Sequence, residues 1–77
     1  MYTNYLVVFT SILDAKLFVD DNGNYHKYSD NCEIDNKEKA LEIANCIAQN
    51  LNDYERVNVY EYLYNEDTGE DITNKIL

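Results

Sequence analysis

Residues 4 to 12, "NYLVVFTSI", carry apolar side chains on both parities: Tyr5, Val7 and Phe9 on one, Leu6 and Val8 on the other. Aromatic and β-branched residues in that arrangement want cover on both faces, which predicts a strand in the middle of a sheet. The next pattern, "KLFVDDNGNYHKYS", holds Asn22-Gly23, a preferred pair for a two-residue type I′ turn with both residues at positive φ. It predicts a hairpin with Asp20 opposite Tyr25, Val19 opposite His26, Phe18 opposite Lys27 and Leu17 opposite Tyr28. Leu17, Val19 and Tyr28 would form its apolar side.

From Asp35 to about Asp53 the period changes to that of a helix. Ala40, Ala44, Ile47 and Leu51 cluster at 100° per residue, flanked by Leu41, Ile43 and Ala48. Glu38, Glu42, Asn45, Gln49 and Asn52 take the other face, with Cys46 at the edge of the stripe. Asp35 is the expected N-cap, with Glu38 three residues on in a variant of the capping box.

Residues 56 to 64 then alternate strictly. Val57, Val59, Glu61 and Leu63 share one parity, and Asn58, Tyr60, Tyr62 and Tyr64 the other. A last stretch, "NEDTGEDITNKIL", predicts a turn at Thr68-Gly69 and a return strand through Ile72, Ile76 and Leu77. The sum is a β-β-β-α-β order with a closing C-terminal hairpin strand. It predicts one α+β domain over 1–77, a two-layer sandwich with one amphipathic helix packed on a mostly antiparallel sheet.

One helix covers one face. If Val57, Val59 and Leu63 meet it, Tyr60, Tyr62 and Tyr64 stand in a row on the open face, beside either Tyr5, Val7 and Phe9 or Leu6 and Val8. Tyrosine suits a half-wet pleated surface, its ring covering the sheet and its hydroxyl in water, so the stripe has a purely structural reading. A contiguous aromatic patch on a small domain also marks a protein contact, to a foreign partner or to a second copy in a homodimer.

Charge changes the picture. Fifteen carboxylates against six basic residues give a net charge of −9, while apolar residues make up 45% of the 77 and keep the chain out of the disordered class. A field of that sign repels nucleic acid and anionic membranes and speeds encounter with basic surfaces. Glu66, Asp67, Glu70 and Asp71 follow the tyrosine stripe directly, and with Glu61 they are the expected electrostatic complement to Tyr60, Tyr62 and Tyr64 at a partner-binding surface. As a solvated acidic turn they would need no partner at all.

Candidate chemistry is sparse. His26, Cys32 and Cys46 have no metal-ligand spacing and are one ligand short of a tetrahedral zinc site. In "DDNGN" the glycine follows the first aspartate by three positions rather than the five a calcium loop needs. There is no phosphate-binding glycine loop and no nucleophile with an evident base, so no enzyme, cofactor, metal or catalytic residue is expected. A disulfide is disfavoured: Cys46 would lie about 16 Å along the helix, while the extended link from Cys32 spans roughly 10 Å. Two reduced thiols, no signal-peptide pattern after Met1 and no apolar run of bilayer length predict a soluble cytoplasmic protein, in the host cytoplasm if phage-encoded.

In size, acidity and lack of a catalytic motif, the chain resembles the small proteins that phages and mobile elements use against host defence, including anti-CRISPR proteins and DNA mimics. The likeness is one of composition over the whole chain, and no motif residue carries over with it. It implies a non-enzymatic inhibitor that occupies the basic nucleic-acid surface of a CRISPR effector nuclease, a restriction enzyme or a repair nuclease. Two other readings stand beside it: an immunity protein or antitoxin against a basic toxin, and a homo-oligomeric accessory protein that buries its tyrosine face.

Overall fold

The strand with apolar residues on both parities does lie at the centre of the sheet. The computed structural model describes residues 2–77, which form β1 (Tyr2–Thr10), β2 (Lys16–Val19), β3 (Tyr25–His26), α1 (Lys37–Ala48), β4 (Arg56–Asn65) and β5 (Glu70–Lys75). The strands make one antiparallel sheet in the order β3-β2-β1-β4-β5, and α1 packs on it through β1 and β4. This is the two-layer α+β arrangement expected. Among the described residues no helix is long and apolar enough to cross a membrane.

Alternation decides the layers. Tyr5 and Val7 of β1, Val59 of β4 and Val19 of β2 point to the helix and are buried with Ile34, Ala40 and Ala44. Ala40 and Ala44 are 0% exposed, so the only side chains between helix axis and sheet there are methyl groups, which lets α1 sit close. The larger Leu41, Ile43 and Ile47 pack at the sides of that contact and remain half-buried.

Three sequence expectations shift in register. The first strand runs Tyr2–Thr10 rather than 4 to 12, and Ser11 to Ala15 form the turn. The serine side chain holds that turn, because its Oγ accepts from the amides of Leu13 and Ala15. The N-cap is Asn36, not Asp35: its Oδ1 accepts from the Lys39 amide at 3.0 Å. Both residue types cap well, and the one reaching the third helical amide wins. The helix stops at Ala48 instead of Asp53. Asn50 Nδ2 donates to the Cys46 carbonyl, and Glu55 Oε1 accepts from the Asn52 amide. These polar side chains offer the backbone an alternative to another helical turn.

The β2–β3 hairpin is one residue out from the two-residue turn. Val19 lies opposite Tyr25 and Phe18 opposite His26, so the loop is Asp21-Asn22-Gly23, with the positive φ at Gly23 (83°) alone. Asp20 sets this register, since its Oδ1 accepts from the amides of both Asn22 and Asn24 at 2.9 Å. Tyr25 therefore takes the helix-side position and meets Phe9 edge to face, with ring centroids 5.5 Å apart. Tyr28 lies beyond β3 and is exposed.

The other Asp20 oxygen meets His26 Nε2 at 2.6 Å. That hydrogen bond first, and the Asn24 amide next, hold the Asp20 carboxyl below the usual carboxylate range. A depressed folded-state pKa stabilises the native state above the unfolded value, near pH 4, and the contribution disappears as pH falls through the folded value. Asp20→Asn should therefore show a flatter loss of stability between about pH 5 and pH 2 than the parent. Urea midpoints across that range check it, and parallel curves for the two proteins would contradict it.

Candidate protein interface on the open face

On the face away from α1, the β1–β4–β5 register sets three rows. Leu6, Tyr60 and Lys75 form the first, Asn4, Tyr62 and Thr73 the second, and Tyr2, Tyr64 and Asp71 the third. Strand alternation brings Tyr60, Tyr62 and Tyr64 together as expected and puts Leu6 and Val8, not Tyr5, Val7 and Phe9, beside them. Tyr60 is half-buried, while Tyr62 and Tyr64 are 38% and 41% exposed. Tyr2 adds a fourth ring at 59% exposure. Its signal was its even parity with Leu6 and Val8, hidden by a strand start placed two residues late.

The open face is covered at one end by the chain itself. After β3 the chain folds over the sheet, and Cys32 is buried against Leu6 and Val8, with Phe18 and Tyr60 packed around them. Two residues on, Ile34 pairs with Tyr5: the Tyr5 amide donates to the Ile34 carbonyl at 2.7 Å, and the Tyr5 carbonyl accepts from the Ile34 amide at 2.9 Å. This continues the β1 edge from the point where β2 ends, at Val19 opposite Val7. Ile34 then turns its side chain into the helix-side core. The crossing segment leaves a hollow lined by Asn4, Leu6, Ser29, Glu33 and Tyr62.

This crossing also brings carboxylates that sequence adjacency did not indicate. Burial pushes the Cys32 thiol up, and the nearby charges of Asp20, Glu33 and Asp30 push it further in the same direction. Asp20, Glu33 and Asp30 are thus near neighbours of the thiol at the covered end of the face. Cys32 and Cys46 are both free, one buried between the crossing segment and the sheet and the other exposed on α1.

The acidic residues singled out in the sequence separate in space. Asp71 stands opposite Tyr64, on the tyrosine face. Glu66 and Asp67 sit in the β4–β5 turn, where the Asp67 amide donates to Asn65 Oδ1 and Gly69 has a φ of 73°. Glu70 pairs with Asn65 on the helix-side parity. Glu61 is on that parity too, so it does not flank the tyrosines. Its carboxylate instead accepts from the Tyr5 hydroxyl at 3.2 Å and from Asn74 Nδ2 at 3.3 Å. Burial, and then this bond to Glu61, raise the Tyr5 hydroxyl above its ordinary pKa.

Two further features carry no sequence motif. A groove of about 590 Å³ runs between α1 and the β2–β3 turn, floored by Phe9, Leu17, Tyr25, Ile43 and Ile47 with Cys46 in its wall. At the end opposite the β4–β5 turn, Leu13 and Tyr54 are 86% and 80% exposed, and Tyr54 has a φ of 70°. That conformation is uncommon for a bulky side chain. An ion pair between Asp14 Oδ1 and Arg56 Nη2 at 3.1 Å ties the Ser11–Ala15 turn to the start of β4.

The arrangement presents an aromatic surface with Asp71 in its outer row and Glu33 beside the hollow at Tyr62. Compared with known proteins, this chain matches no family model, no curated protein and no solved structure.

Proposed function

We propose that this protein is a non-enzymatic inhibitor that covers the basic nucleic-acid-binding surface of a host nuclease or defence effector, in the manner of anti-CRISPR proteins and DNA mimics. The observation that carries this reading is the uncovered face of Tyr2, Tyr60, Tyr62 and Tyr64, bounded by Asp71 at one end and by Asp30 and Glu33 at the other. Tyrosine anchors supply large, amphipathic contact area of the kind enriched in interface cores. The net charge of −9 accelerates encounter with a basic partner and discourages two copies from meeting face to face. An immunity protein or antitoxin would use the same face by the same physics, against a toxin of its own cell.

The test is a pull-down of the tagged protein from lysate of its native host at roughly 50 mM and 500 mM salt, followed by assay of the captured enzyme. At the higher concentration the screening length falls to about 4 Å. The expected result is a basic nucleic-acid enzyme held only at low salt, whose nucleic-acid binding falls when the protein is added. A partner retained equally at both concentrations, or one whose nucleic-acid binding is unaffected, would overturn the proposal.

A further inference from the structure

The sheet has one long open edge. β3 is two residues long, but β5 offers six, all exposed. A β-bulge fixes which backbone groups β5 presents. The amides of Ile76 and Leu77 both donate to the Val59 carbonyl, at 2.9 and 3.4 Å, and the Val59 amide donates to the Leu77 carbonyl at 2.9 Å. Val59 is thus a bonded position. By alternation Glu61 with Asn74 and Leu63 with Ile72 are bonded pairs too. Asp71, Thr73 and Lys75 therefore aim their N–H and C=O groups away from β4, at the open edge, with their side chains on the tyrosine face.

We propose that β5 pairs antiparallel with β5 of a second copy, about a two-fold axis at Thr73. In that register Asp71 of each copy faces Lys75 of the other, giving two opposite-charge cross-strand pairs with Thr73 opposite Thr73 between them. A two-fold at Asp71 would set carboxylate against carboxylate, and one at Lys75 ammonium against ammonium. One at Ile72 sets Asp71 against Thr73 and Lys75 against Gly69, and one at Asn74 sets Lys75 against Thr73. Only the Thr73 register pairs opposite charges. A charged side chain on an edge strand normally guards against foreign strands. Here the guard matches its own copy.

The axis is perpendicular to the sheet, so both helices fall on one side and both tyrosine faces on the other. The dimer surface would present two sets of tyrosines side by side. The pairing shares Asp71 with the proposed inhibitor surface but rests on the backbone edge of β5, and it is tested on the purified protein with no other partner present.

Sedimentation equilibrium on the purified protein at about 0.15 M salt tests it, with three variants. The parent is expected to pass from monomer to dimer with concentration. Thr73→Pro should be monomeric with its circular dichroism unchanged, because the amide it removes bonds nothing within the monomer. Lys75→Asp should raise the dimer dissociation constant about tenfold by facing carboxylates with carboxylates at both pairs. The double variant Asp71→Lys with Lys75→Asp should restore it to within about threefold, since the charges are exchanged across the axis. A parent that stays monomeric up to about 1 mM, where no edge pairing of any consequence operates, would overturn the proposal. So would dimerisation that survives Thr73→Pro, or a double variant as weak as Lys75→Asp.

Discussion

Ala44→Asp is expected to unfold the protein. Ala44 is 0% exposed, and it lies in the cluster with Val7 and Val59, where the helix and the two central strands meet. A carboxylate there has no partner and no water, which costs several kcal/mol whether the group stays charged or takes up a proton. A domain of 77 residues has only about 5 kcal/mol of stability in all. The neighbouring Asn45 is exposed, so Asn45→Asp adds the same charge one residue along and should change stability by less than about 0.5 kcal/mol. Far-ultraviolet circular dichroism and urea titration of the pair check both halves. A folded Ala44→Asp protein would mean that α1 does not sit on β1 and β4 through its alanines.

The second large effect is expected at Tyr62. It occupies the middle row of the open face, between Asn4 and Thr73, and its ring is 38% exposed in the free protein. If this face meets a partner, Tyr62→Ala should weaken the complex by about 1–3 kcal/mol, roughly tenfold to a hundredfold in Kd, chiefly through faster dissociation. Removing a ring that is already partly in water should lower the stability of the free protein by less than that. Asp71→Asn makes the useful contrast. A rim charge acts on the encounter rate, so it should slow association and reduce the dependence on salt with little change in dissociation. Surface plasmon resonance on the two variants separates the effects. Unchanged binding by Tyr62→Ala would remove the tyrosine face from the interface, and a collapse of the free protein would make the ring a structural element.

Strand parity was the most legible property of this sequence. The alternation of Val57, Val59 and Leu63 against Tyr60, Tyr62 and Tyr64 named both faces of β4, and the both-parity run in β1 placed that strand at the centre. What failed were choices between neighbours of nearly equal propensity. Asp35 and Asn36 compete for one cap, and the winner is set by reach to Lys39. Asn22-Gly23 suggests a two-residue turn, but Asp20 gathers two amides and lengthens the loop by one. The expected grouping of the acids around the tyrosines departs for a different reason. Glu61 lies between Tyr60 and Tyr62 in sequence, yet adjacent residues in a strand point to opposite faces, and only Asp71 of the chosen acids reaches the tyrosines. Asp30 and Glu33 arrive through the segment that crosses the open face. That contact depends on the backbone pair between Tyr5 and Ile34, which leaves no local pattern.

The pairing of β1 with β4 joins residues far apart in sequence, Tyr2 with Tyr64 and Thr10 with Arg56. Residues 11–55 must all be made before β4 can emerge from the ribosome. Until then β1, apolar on both faces, waits with an unpaired edge. The closure that ends this wait is non-local, which makes folding slow relative to a helical domain of the same size. The nascent chain is thus at greatest risk of aggregation while its first strand has been made and its partner has not.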